Sequence, residues 1–185
     1  MVRYGALTMV ALAFANALQQ GEASSFSQAT DGIRHAFHVS DFALGTVPFF
    51  MGLCGALGSV PISFLSSRYR RTAVLGAMFL AWAVLMGVNG LVIGFAAFYV
   101  VRLLTSVTEA TDPAALPLLA DYYPVDERAG KASVFNAGAG LGGFVGIGLG
   151  GVLVDQFGWR WAFFMWVPIG LLGAVPENVA RGEPL

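Results

Sequence analysis

From Thr72 to Val101 the chain runs for 30 residues without one charged side chain. Few folds accept such a run. A bilayer core about 30 Å thick takes roughly 20 apolar residues per helix, so the run is too long for one span and too short for two. Asn89-Gly90 lies inside it and is a turn signal. The expectation is one helix over 72–88 and another over 91–119. The second must pass Arg102 to reach the next charged cluster, which places Arg102, Glu109 and Asp112 within the membrane.

The same alternation of apolar windows and short charged clusters marks further helices over about 5–26, 42–66, 132–154 and 160–176. Gln28 to Asp41 reads as an extramembrane loop and Asp121 to Lys131 as a charged one; 177–185 forms a polar tail. Pro48 and Pro61 fall inside the second window, where membrane helices tolerate proline because neighbours re-satisfy the backbone. A secretory signal peptide is the alternative for the first window, with Ala15-Asn16-Ala17 as its small-residue site. The expected fold class is an all-α membrane protein with six transmembrane helices.

Composition agrees. Charged residues make up 11% of the chain, against about 25% in soluble domains. With 57% hydrophobic residues, lipid is the expected solvent, so the bilayer is the first partner. A net charge of −1 gives no reason to expect nucleic acid. Cys54 sits in an apolar stretch and reads as a small buried residue; no cysteine or histidine cluster suggests a metal, and no cofactor is expected. His35 and His38 share a loop with no further ligands, and no nucleophile–base constellation suggests an enzyme. The glycines of the fifth window lack the Gly-Lys-Ser/Thr ending of a phosphate loop.

Basic residues set the expected orientation. With both termini cytoplasmic, Arg3, Arg68, Arg70, Arg71, Arg128, Lys131 and Arg181 lie inside, against Arg34 and Arg160 outside. The expected location is the inner or plasma membrane, multi-pass.

An ionisable group at the bilayer centre costs at least about 2.5–3.5 kcal/mol, so it usually faces a partner or a cavity. Arg102 and Glu109, seven residues apart, share one helix face, and Asp112 lies near it. Glu22, in the outer half of the first helix, falls at a depth similar to Arg102, so the two are expected to meet. A static ion pair that fixes packing is the plainer reading. For Asp112, capping of backbone groups freed by Pro113 is as good a reading. The functional reading is proton coupling: protonation of a carboxylate changes its pairing with arginine and biases one conformation.

These residues resemble the amino-terminal half of a transporter of the major facilitator superfamily. Ser63-Phe64-Leu65-Ser66-Ser67-Arg68-Tyr69-Arg70-Arg71 is similar to the family's G-x-L-A-D-R-x-G-R-R loop. Leu65, Arg68 and Arg71 match; serines replace its first glycine and its aspartate, and Arg70 its second glycine. Arg102 to Ala110 is similar to the R-x-x-x-G-x-G-E-A pattern of the spinster-like branch, with Ser106 and Thr108 in place of glycines. Glu22 stands where relatives carry the aspartate of an L-D-R motif. Gly142, Gly146, Gly150 and Gly151 resemble the antiporter motif, and as small residues every four positions they also predict close helix packing.

The resemblance implies one six-helix half over 1–176, built of two inverted three-helix repeats. It implies secondary active transport of a small-molecule or lipid-like substrate, with coupling at Glu22, Arg102 and Glu109 and a conformational loop at Arg68, Arg70 and Arg71. A second six-helix half, from another chain or a second copy, is the expected partner. A truncated gene product, a split half and a homodimer are all compatible with this. The alternative function is a membrane module that pairs with or regulates another transporter half without transporting.

Overall fold

The computed structural model describes residues 2–69, 71–109 and 125–174. All seven regular elements among them are helices: α1 (Val2–Phe37), α2 (Asp41–Arg68), α3 (Arg71–Leu91), α4 (Phe95–Glu109), α5 (Val125–Phe157), α6 (Trp161–Phe164) and α7 (Trp166–Ala174). By length and composition alone, Asp41–Leu65 and Ala132–Phe157 are long and apolar enough to cross a bilayer; Gly76–Leu91 and Trp161–Leu172 are shorter apolar helices.

Local chemistry explains most boundaries. Ser40 caps α2, its hydroxyl accepting from the Ala43 N–H at 3.2 Å, with Asp41 in the first turn where the helix dipole favours an acid. The α5 helix stops at Gly158, whose φ of +90° suits glycine, and the Gly158 N–H donates to the Val154 carbonyl at 2.9 Å. Pro168 lacks the N–H that the Phe164 carbonyl would accept four residues back, and the last span breaks there into α6 and α7.

Four boundaries differ from the sequence expectation. The α1 helix continues to Phe37 through the expected loop after Gln28, because Ala29 and Ile33 repeat at helical spacing and are fully buried. Asn89-Gly90 is helical, and the chain turns at 92–94 instead. There the Asn89 amide donates to the Leu85 carbonyl at 3.0 Å and to Thr105 Oγ1 at 3.2 Å, while Gly90 gives room to the Phe164 ring. The charged stretch before the fifth window is already helical from Val125. The sixth helix is two pieces rather than one. The expected end of the fourth helix at 119, Asp112 and the tail 177–185 lie outside the described residues.

The helices associate in three pairs, each built on glycine. The α1 helix lies along α5, α2 along α4, and α3 along α7. Gly55 lets α2 approach the Ser106 carbonyl of α4, and Gly170 of α7 accepts the ring of Trp82 on α3. An aromatic cluster around the fully buried Phe98 joins the pairs, with Phe26, Phe37, Phe95, Trp159 and Phe163 about its ring. The outside is apolar: Phe42, Phe49, Phe64, Leu141 and Phe144 are all exposed, as lipid-facing side chains would be.

Candidate functional site

Arg102 sits near the middle of α4, and its Nη1 donates to Oε1 of Glu22 on α1. Both side chains are almost fully enclosed, at 2% and 3% exposure. The guanidinium carbon lies 4.5 Å from the Phe26 ring centroid and 5.6 Å from that of Phe163. An ion pair in such surroundings loses hydration on both ions and recovers it only through its own attraction and the ring faces. Arg102 Nε is buried without a hydrogen-bond partner. The site is therefore a charged pair closed in by aromatic carbon.

The same helix carries a polar stripe below the pair. Thr105 and Ser106 follow Arg102 by three and four residues, and Glu109 by seven, so all point to one side of α4. Thr105 is buried and accepts from Asn89 of α3, whose Oδ1 has no partner. Glu109 is half-buried, and Trp82 Nε1 of α3 donates to its Oε1 at 2.9 Å. Arg102 thus reaches α1 while Glu109 is held from α3. Asp112, the fourth residue expected here, lies outside the described residues.

On its other face α1 is clamped to α5. A Cβ at Gly142 or Gly146 would run into the carbonyl oxygen of Ala17 or Gly21, and one at Gly150 would stand 2.7 Å from Ser25 Oγ. Gly138 belongs to the same stripe, against the Ala13 carbonyl, although the sequence reading did not include it. Gly151 does not: its nearest neighbour would be Gln28 at 3.9 Å. Asn16 Nδ2 donates to the Phe135 carbonyl at 3.0 Å. Ser25 Oγ lies 2.9 Å from the Gly21 carbonyl and 3.3 Å from that of Gly146, and accepts from Trp166 Nε1 at 3.2 Å.

Of the loop arginines, Arg68 is exposed at the last position of α2. Arg71 opens α3, and Arg70 lies outside the described residues. Ser67, which stands where an acid was the norm, turns its hydroxyl back to the Phe64 carbonyl at 2.7 Å. The sequence does not mark Asn16, Ser25, Trp82, Asn89 or Thr105 as polar contacts between helices; Asn16 reads there as part of a cleavage site and Asn89 as a turn. Thr105 alone had a signal, its three-residue spacing from Arg102.

The family model described as Major Facilitator Superfamily matches residues 7–181. The chain belongs to the major facilitator superfamily. A protein of Escherichia coli (strain K12) named "Probable L-galactonate transporter" is 26% identical over 166 residues, covering 89% of this chain and 36% of that protein. The "Hexuronate transporter" of Bacillus subtilis (strain 168) is 28% identical over 111 residues, covering 60% and 26%. The fold matches a crystal structure of a bacterial homologue of the human lysosomal transporter spinster, inward-facing and unoccupied, with a TM-score of 0.81 at 22% identity. That match covers 100% of this chain and 44% of the other. The superfamily chain described here is thus a multi-pass membrane protein that spans about a third of the length of the first curated relatives it matches.

Proposed function

We propose that the chain forms the amino-terminal six-span half of a proton-coupled secondary transporter, and that Glu22, Arg102 and Glu109 couple proton to substrate. The observation that carries this is the buried Arg102–Glu22 pair between α1 and α4. Protonation of Glu22 removes the charge that holds the guanidinium. An uncompensated buried arginine costs several kcal/mol, so a new partner or access to water must follow. A rearrangement of α1 against α4 supplies either one. Glu109, on the same side of α4, is the second acid within the charge system, and Asp112 is assigned beside it from sequence alone.

The helix pairing supports two inverted three-helix repeats. Matching α1, α2 and α3 to α4, α5 and the α6–α7 span carries the α1–α5 pair onto α4–α2 and leaves the α3–α7 pair on itself. Termini on the cytoplasmic side of the inner or plasma membrane follow from the basic residues. The loop residues Arg68, Arg70 and Arg71 then lie at the cytoplasmic end, where this reading gives them a gating role. A second six-helix half supplies the other wall of the cavity.

Two relatives are named for L-galactonate and hexuronate, which favours a small hydroxylated carboxylic acid as substrate over a lipid-like one. The test is uptake of a labelled sugar acid into proteoliposomes under an imposed pH gradient, with the complete transporter assembly. Glu22→Gln, Arg102→Ala and Glu109→Gln should each abolish the pH-driven component. Normal pH-driven uptake in all three variants would overturn the proton-coupling reading.

A further inference from the structure

We infer that Trp82 is a positioning residue for Glu109, fixing its carboxylate from α3 and changing environment with its protonation. The functional weight of this rests on the coupling role proposed for Glu109; the geometry does not. Trp82 is buried at 5% exposure, and its only polar atom, Nε1, donates to Glu109 Oε1 at 2.9 Å. A buried indole N–H needs an acceptor, and an ionised carboxylate is among the strongest.

The ring is fixed from the opposite side as well. At Gly170 of α7 an added Cβ would stand 2.8 Å from Trp82 Cζ3 and 3.0 Å from Ala83 Cβ. The glycine is therefore a notch, and the indole fills the space between that notch and the acid. Any larger residue at 170 would drive the ring towards α4 or rotate it away from Glu109. The hydrogen bond also ties the α3–α7 pair to α4, so motion of α4 along α3 must break it.

Among the described residues, the helices around Trp82 carry few other titratable groups. The α3 helix has no charged or titratable side chain after Arg71, and α7 has none. The α4 helix contributes Arg102 and Tyr99, α2 contributes Cys54 between its terminal Asp41 and Arg68, and α1 contributes Glu22 between Arg3 and Tyr4 at one end and Asp31, Arg34 and His35 at the other. A pH response of Trp82 that depends on Glu109 can thus be assigned by removing one side chain.

The experiment is tryptophan emission of the purified chain in nanodiscs across a pH series. The chain has four tryptophans, so the spectrum of Trp82→Phe is subtracted from that of the wild type to isolate Trp82. The expected result is a single pH-dependent step in the difference spectrum. The step should be lost in Glu109→Gln, and lost again in Gly170→Ala, which displaces the ring while leaving the acid in place. Circular dichroism checks that each variant is folded; if Trp82→Phe is not, Trp82→Tyr gives the same subtraction. A difference spectrum that does not change with pH, or a step that persists in Glu109→Gln, would overturn the inference. Uptake under a pH gradient separates the two readings. A step lost in Glu109→Gln whose uptake is normal removes Glu109 from coupling but leaves Trp82 as its positioning residue.

Discussion

The two faces of α1 are held by opposite means. Towards α5 the contact is backbone against backbone: Gly138, Gly142 and Gly146 press on the carbonyls of Ala13, Ala17 and Gly21. Towards α4 the decisive contact is one ion pair, Glu22 with Arg102, in an aromatic enclosure. The first contact depends on the absence of side chains, and its glycine–carbonyl contacts hold no group that titrates. The second depends on charge, and a single proton can end it. A helix held this way can move as one body with α5 while its tie to α4 is made and released.

The largest expected effect comes from breaking the charged face on one side only. Arg102→Ala leaves Glu22 buried without its partner and should cost about 3–5 kcal/mol of stability. Replacing both charges, as in Glu22→Leu with Arg102→Met, should be neutral or stabilising by about 1–4 kcal/mol and should still abolish pH-driven uptake. Thermal unfolding in detergent measures the first quantity and proteoliposome uptake the second. If the double variant were as unstable as Arg102→Ala, packing and not charge would govern this face.

The glycine face comes next. Gly142→Ala places a Cβ against the Ala17 carbonyl, which is backbone and cannot swing aside. The two helices must separate, at a cost of about 1–3 kcal/mol by the same unfolding measurement. Unlike the charged face, this loss should not change with pH. Ser25→Ala is milder. It removes the acceptor of Trp166 Nε1 at the edge of the same seam and should cost about 1 kcal/mol.

What the sequence reveals about these faces differs in kind. Charges inside apolar windows are visible at once, because nothing local justifies Glu22 or Arg102 in lipid, and helical spacing gives the face of α4 they share with Glu109. Partners across helices are less visible. Asn89-Gly90 has the local signature of a turn, yet Thr105 of α4 and Phe164 of α6 keep it helical. Trp82 shows no sign of a polar task, since its acceptor lies 27 residues away. The full length of the first helix is hidden because Asp31, Arg34 and His35 look like a loop, whereas the buried Ala29 and Ile33 continue the helix. Gly138 lies four residues before Gly142 and outside the motif, so the motif marks the stripe one turn too short at one end and runs on to Gly151 at the other.

The end of the stripe at Gly150 and Gly151 supplies the smallest and most discriminating prediction. Gly150 and Gly151 are adjacent, but a Cβ at Gly150 would stand 2.7 Å from Ser25 Oγ, while one at Gly151 would meet nothing nearer than Gln28 at 3.9 Å. Glycine inside a helix is worse than alanine by roughly 0.5–1 kcal/mol, because it has more freedom to lose on folding. Gly151→Ala should therefore leave stability unchanged or raise it by up to about that amount, and Gly150→Ala should lower it unless the Ser25 side chain rotates away. The difference in unfolding temperature between these neighbouring variants tests the placement of the seam. Equal destabilisation of both would mean that α5 is rotated relative to α1 by the step between adjacent residues, and that the close contact runs through Gly151 as well.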